Sequence, residues 1–358
     1  MFEELNAGLD HFRKRGIPGY TCTIMQHGKC IFKRSDGYLD TEGKLPVTGD
    51  EHYYIYSCSK PITVTAAMQL WEKGLFSLED RLSDYLPEFA GMKVRTPEGL
   101  KDAEKPILIR QLFEMTAGLN YDLRSPSLLR LREDTQGACP TREAMKYLAQ
   151  EPLDFEPGAH WQYSLCHDVL AALVEVLSGQ RFGKYVKEHI FEPAGMKDSS
   201  FLLAEHDLTR VAPLYRYDAP TGQLIPCRSN AYILGSEYES GGAGCISTAA
   251  DYIRFLEALR EGERLLKRDT IRLMTVDRLS AEQTETFWNK DTHGYGLGMR
   301  CPKAGGTRTD YGWGGAAGAY LAVDPARDLS FFYVQHVLTA PIKEERSWLY
   351  DQAMKGVC

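Results

Sequence analysis

Strand-like segments stand at both ends of this chain and helical texture fills its middle. That distribution narrows the fold more than any other feature of the sequence. Residues 20–26 and 29–33 read as two strands joined at His27-Gly28, a short hairpin. Late in the chain, residues 320–323 and 329–335 flank Asp324-Pro325-Ala326-Arg327-Asp328, a turn sequence. From about residue 75 to 234 the texture is helical and rich in loops, clearest at 110–115 and 168–177. The second of these is apolar nearly all round and should be buried, with Asp168 as its N-cap and Gly179 as its stop. Phe2, Leu5, Leu9 and Phe12 recur at helical spacing, so an opening helix should end at Gly16. Residues 342–355 form a closing helix.

This is not the alternation that builds a parallel sheet. It predicts an α+β fold: one antiparallel sheet closed by N- and C-terminal strands, flanked by helices, with a mostly helical region inserted. Residues 1–75 and 235–358 would make the sheet region and residues 76–234 the helical one. The 358 residues suffice for one large domain or two small ones.

Charge and cysteine usage exclude several classes of function. A net charge of −7 gives no reason to expect nucleic acid or an anionic membrane surface as partner. No apolar run approaches the roughly 20 residues of a membrane helix. The start, Met-Phe-Glu-Glu-Leu-Asn, lacks the basic and apolar character of a signal peptide. Nine scattered cysteines show no C-x-x-C or zinc-ligand spacing, so free thiols in a reducing cytoplasm are expected.

The chemistry begins at Ser57-Cys58-Ser59-Lys60, the single S-x-x-K of the sequence. Beyond it Val64, Ala67, Met68 and Trp71 sit at i, i+3, i+4 and i+7, with Gly74 as a stop. Ser57 therefore stands at the N-terminal end of a core-facing helix. Residues i and i+3 share a helix face, so the Ser57 hydroxyl and the Lys60 amine can meet. A serine hydroxyl is a poor nucleophile until a base takes its proton, and a neutral lysine can be that base.

Further segments carry a resemblance. Tyr56-Ser57-Cys58-Ser59-Lys60-Pro61, Leu78-Glu79-Asp80, Tyr85-Leu86-Pro87-Glu88-Phe89, Phe155-Glu156-Pro157-Gly158 and Trp161-Gln162-Tyr163-Ser164 stand in that order. Pro193-Ala194-Gly195-Met196, Ser240-Gly241-Gly242-Ala243-Gly244 and Trp313-Gly314-Gly315-Ala316-Ala317-Gly318 follow. In type and order these resemble the serine β-lactamase-like hydrolases: class C β-lactamases, penicillin-binding D-Ala-D-Ala peptidases and, most closely, the family VIII esterases. The resemblance runs from about Gly16 to Gln335. It implies a β-lactamase/transpeptidase-like fold, with the nucleophile and the oxyanion strand in the sheet region and a catalytic tyrosine in the helical one.

By spacing alone Tyr163 is one of 20 tyrosines, packed at a helix start. The resemblance makes it the partner of Ser57 and Lys60. A phenol beside an ammonium group loses its proton more easily, can take that of Ser57, and can return it to the leaving group. The resemblance also implies an oxyanion hole from the backbone N–H groups of Ser57 and Ala316.

Two departures bear on substrate. Lactamases and D,D-peptidases carry Lys-Thr-Gly or a close variant beside the site, where this chain has Trp313-Gly314-Gly315. A tryptophan cannot pair with a substrate carboxylate, while the glycines still let a substrate lie against the strand. The lactamase pattern Tyr-x-Asn is here Tyr163-Ser164-Leu165, without the amide that holds a lactam side chain. A third difference, at Glu114-Met115-Thr116-Ala117-Gly118-Leu119, reads as a structural turn ending a helix. His160 and His167 flank Tyr163 with Cys166 between them; they are expected to face solvent or cap a helix rather than bind zinc.

The expected function is a serine hydrolase forming an acyl-enzyme on Ser57, acting as an esterase on small or medium neutral esters. Catalytic roles fall to Ser57, Lys60, Tyr163 and Ala316, and substrate contacts to Trp313, Gly314, Gly315 and Leu165. An acyltransferase using the same intermediate, a β-lactamase or D-amino-acid peptidase, and a non-catalytic binding protein are the competing readings. No cofactor or metal is implied, and the partner is a small-molecule ester or amide.

Overall fold

The computed structural model describes residues 2–342 and 345–357. Its main element is a seven-stranded antiparallel sheet. The strand order is Lys29–Gly37, Gly19–Gln26, Leu329–Val334, Tyr320–Asp324, Tyr311–Gly314, Arg300–Cys301, Gly294–Tyr295. The N-terminal hairpin turns on His27 and Gly28, both at positive φ, the conformation a two-residue hairpin turn requires. The C-terminal hairpin turns where Asp324 Oδ1 accepts the Ala326 N–H at 3.1 Å. Pairing Gly19–Gln26 with Leu329–Val334 closes the two chain ends into one sheet, as the sequence predicts.

Strand alternation sorts the core into two layers. Phe331 and Tyr333 face the opening helix, Glu3–Lys14, and the closing helix, Arg346–Met354, where Leu5, Leu9, Phe12 and Leu349 are buried. Phe332 and Val334 point the other way into the larger core. Tyr252 of the helix Ala249–Glu261 stacks on Phe332 there, with ring centroids 4.4 Å apart. Behind the strand that carries Trp313, Arg300 donates to Asp310 at 2.9 Å, to Tyr320 Oη at 2.7 Å and to the Leu321 carbonyl at 3.1 Å. Among the described residues no helix is long and apolar enough to cross a membrane.

Several expectations need correction. The helix read at 168–177 spans Cys166–Ser178 with Leu165 in the N-cap position, so Asp168 does not cap it. Asp168 is wholly buried, because its partners come from elsewhere in the chain. The middle of the chain also holds two hairpins, Lys93–Thr96 with Gly99–Asp102 and Leu214–Asp218 with Gln223–Cys227. The helix expected at 110–115 is Ile109–Phe113; Met115 breaks it at φ +58°, with Gly118 at +86° finishing the turn. The closing helix is Arg346–Met354, and residues 343 and 344 of the predicted span lie outside the described residues.

One buried group makes the fold sensitive to acid. His336 follows the strand Leu329–Val334, stacks on Tyr53, leans on Tyr215, and keeps Nε2 3.0 Å from the Leu39 carbonyl. Burial lowers its pKa from 6.5 to about 4, against the Leu39 carbonyl and the Glu51 carboxylate, which both act to raise it. Between pH 6.5 and about 4 the unfolded chain binds a proton here that the folded protein does not. Stability present above pH 6.5 is therefore lost as the pH falls, by at most about 1.4 kcal/mol per pH unit from this group. His336→Gln should flatten the slope of denaturation free energy against pH in that window. An unchanged slope would show that His336 titrates in the fold as it does in the unfolded chain.

Candidate active site

Ser57 lies in a single 3₁₀ turn, Tyr56–Cys58, that runs into the helix Ser59–Glu72. The turn is clamped from several sides. Tyr56, fully buried, adopts φ +48°, a conformation that surrounding structure must enforce for a bulky residue. Ser59 Oγ donates to the Tyr56 carbonyl at 2.6 Å and accepts the Cys245 N–H at 2.9 Å. Tyr252 donates its hydroxyl to the Cys58 carbonyl at 2.6 Å. The half-buried Ser57 hydroxyl is thus presented on a fixed turn.

Ser57 Oγ is hydrogen-bonded to the Tyr163 hydroxyl. Lys60 Nζ lies 3.4 Å from Ser57 Oγ and 4.5 Å from the centroid of the Tyr163 ring. Lys60 is wholly buried and donates to the Gly242 carbonyl at 2.7 Å. The three residues are brought together from the nucleophile helix and from the loop that enters Cys166–Ser178. A hydroxyl, a phenol and an amine in mutual reach can pass one proton between them.

A buried carboxylate stands behind this triad, and sequence reasoning missed it. Asp168 accepts from Ser240 Oγ at 2.6 Å and from the Tyr238 hydroxyl at 2.9 Å. A Cβ placed on Gly242 would come within 2.5 Å of Asp168 Oδ2 and 3.3 Å of Lys60 Nζ, so only a glycine leaves room between the two. Burial raises the Asp168 pKa, while Ser240, Lys60 and Tyr238 pull it back down. Tyr121, stacked on Tyr163 at 5.5 Å, has its phenol held well above the ordinary range by burial and then by Asp168. The signal that could have found Asp168 is its charge inside an otherwise apolar helix, since a fully buried carboxylate needs partners.

On the other side, Trp313 lies on the strand Tyr311–Gly314, between Tyr320–Asp324 and Arg300–Cys301, and is nearly buried. Gly315 abuts the Ile55 carbonyl, two residues before Ser57, and any side chain there would collide with it. That contact seats the Gly314-to-Gly318 loop against the nucleophile turn. The N–H groups of Ser57 and Ala316 meet no acceptor among the described residues. Trp288 is the aromatic that sequence reasoning did not single out. It is 59% exposed, with its ring 4.9 Å from Tyr163, 5.0 Å from Trp161 and 6.3 Å from Trp313. The approach to Ser57 is therefore lined by aromatic rings.

Leu165 is 2% exposed and belongs to the large core, as do Trp161 and Trp313. His167 is neither solvent-facing nor capping: it is wholly buried against Gly298, and burial and then Lys60 keep its imidazole neutral. His160 does face solvent. The eight described cysteines are all free.

A family model described as Beta-lactamase matches residues 2–354. Esterase EstB of Burkholderia gladioli is 31% identical over 356 residues, covering 91% of this chain and 88% of that protein. Among solved structures, EstCE1, described as a hydrolase with promiscuous acyltransferase activity, superposes with a TM-score of 0.80 at 26% identity, covering 98% of this chain and 97% of its own. Simvastatin synthase LovD from Aspergillus terreus gives a TM-score of 0.81 at 24% identity over 98% and 96% of the two chains, a likeness of fold.

Proposed function

This chain belongs to the beta-lactamase family and is a serine hydrolase, and we propose that it is an esterase that carries its acyl-enzyme on Ser57. Supporting this reading above all is the contact of Ser57 Oγ with the Tyr163 hydroxyl, beside Lys60 Nζ at 3.4 Å. In the first half-reaction Tyr163 acts as the phenolate beside the Lys60 ammonium: the Ser57 oxygen bonds to the ester carbonyl carbon and its proton passes to the Tyr163 oxygen. The Ser57 and Ala316 N–H groups hold the oxyanion. Collapse breaks the bond to the alcohol, which leaves with the proton returned through Tyr163, Lys60 bracing both oxygens. Water repeats the sequence on the acyl-enzyme and frees the acid.

Incubation with a fluorophosphonate should add one mass to the intact protein, on Ser57, and Ser57→Ala should abolish it. An adduct on Ser59, Ser164 or a cysteine would overturn the assignment. Acyl transfer to an alcohol or amine is the second reading, favoured by the activity named for EstCE1. Added alcohol would then yield a new ester in competition with hydrolysis.

The substrate class follows from the aromatic approach. Trp313 stands where a carboxylate-binding lysine would, and Trp161, Trp288 and Tyr163 complete an apolar wall. Lacking a lysine-to-carboxylate contact removes roughly 1.5–3 kcal/mol of charge-assisted bonding. That is about one to two orders of magnitude in specificity against charged lactams. Short neutral p-nitrophenyl esters should be cleaved readily, and nitrocefin or penicillin slowly. Lactam kcat/KM equal to that of the best neutral ester would favour the lactamase reading. The free cysteines suit a reducing compartment, so we place the protein in the cytoplasm. We also take residues 1–75 with 235–358 as the part that supplies Ser57 and Ala316, and 76–234 as the part that supplies Tyr163.

A further inference from the structure

We infer that Arg346, on the closing helix, is a positioning residue for the oxyanion site, holding the Gly315 carbonyl and so aiming and polarising the Ala316 N–H of the same peptide unit. Arg346 Nη1 donates to the Gly315 carbonyl at 2.7 Å and to the Ala319 carbonyl at 3.0 Å. The Gly318 N–H joins it on the Gly315 carbonyl at 3.1 Å, and the Gly315 N–H reaches the Ala319 carbonyl at 2.7 Å. One guanidinium thus ties both ends of the loop that bears Ala316.

The peptide joining Gly315 to Ala316 is a planar trans unit, in which C=O and N–H point in opposite directions. Fixing the carbonyl toward Arg346 therefore directs the Ala316 N–H away from it. That N–H has no acceptor among the described residues, and Ala316 is half-buried. A cation on the carbonyl oxygen draws electron density toward that oxygen and leaves the N–H a stronger donor. Preorganised donors of this kind act where charge develops in the transition state. The Arg346 charge also reaches the nucleophile turn. Burial pushes the Cys58 thiol up to about 12, and Arg346 is the largest influence opposing that rise.

The inference rests on the reading of Ala316 as an oxyanion donor, so the experiment separates the two. Arg346→Met, Arg346→Lys and a backbone amide-to-ester replacement at Ala316 are compared on one slowly deacylated ester. For each, kcat, KM and the infrared carbonyl stretch of the acyl-enzyme are measured. Arg346→Met should lower kcat about 10- to 100-fold, less than the roughly 10²–10³ lost with a whole oxyanion donor. KM should stay within about threefold, as for an interaction made in the transition state. The stretch should move toward that of the free ester, and Arg346→Lys should restore part of both. Unchanged kcat and stretch in Arg346→Met, or lost kcat with an unchanged stretch, would overturn the inference. Should Arg346→Met fail to fold, Arg346→Gln, which keeps a donor without the charge, carries the same expectations. If the ester at Ala316 leaves kcat and stretch intact, the oxyanion reading itself falls. If it lowers kcat while Arg346→Met does not, only the role of Arg346 falls.

Discussion

Tyr163→Phe and Lys60→Ala should each lower kcat by about 10²- to 10⁴-fold, the range for a general acid–base group. The phenylalanine variant deletes only the oxygen bonded to Ser57 Oγ and leaves the ring between Tyr121 and Trp313. Its loss therefore reports proton transfer and not packing. Lys60→Ala removes the amine that lies beside both the serine oxygen and the phenol ring. If the two side chains serve one proton transfer, as proposed, the double variant should fall little further than the worse single one. Burst kinetics on a p-nitrophenyl ester separate acylation from deacylation and should show both steps slowed. Turnover of Tyr163→Phe close to that of the wild type would remove the tyrosine from the mechanism. Strictly additive losses would mean that the two residues act on different steps.

Which parts of this site could be read from sequence depends on how far its residues sit from one another along the chain. Ser57 and Lys60 were legible because a helical turn brings i and i+3 together whatever the rest of the fold does. The terminal hairpins were legible from their turn residues, and their pairing followed from there being strands at both ends and few in between. Trp313 was legible only through the order of the surrounding motifs. Asp168 was not, because its hydroxyl partners lie 70 and 72 residues away and its local neighbours suggest an ordinary helix cap. The reading of His167 failed for the same reason: nearness to Tyr163 says nothing about which side chains the helix start turns into the core. The helix Ala249–Glu261 has no sequence punctuation at its start beyond Thr248, whose hydroxyl accepts the Asp251 N–H at 3.1 Å. Trp288 shows only in three dimensions, where its ring closes over the tyrosine.

Asp168→Ala should be the most damaging change that touches neither nucleophile nor proton shuttle. The alanine leaves the Tyr238 and Ser240 hydroxyls without their acceptor, and it leaves Lys60 facing an empty space across Gly242. Removing one member of a buried charged network destabilises by about 3–5 kcal/mol. The denaturant midpoint should fall accordingly, with the m-value unchanged if the fold stays two-state. Asp168→Asn makes the comparison sharper. Its carbonyl oxygen can accept from both hydroxyls, so it should recover most of the stability while discarding the charge. A rate deficit that persists in Asp168→Asn after stability returns would then belong to the charge facing Lys60, since packing and hydrogen bonding are retained. Gly242→Ala tests the same geometry from the other side, because its methyl would press on both Asp168 Oδ2 and Lys60 Nζ. If Asp168→Ala unfolds within about 1 kcal/mol of the wild type, the carboxylate is not holding the site together, and its burial has some other cause.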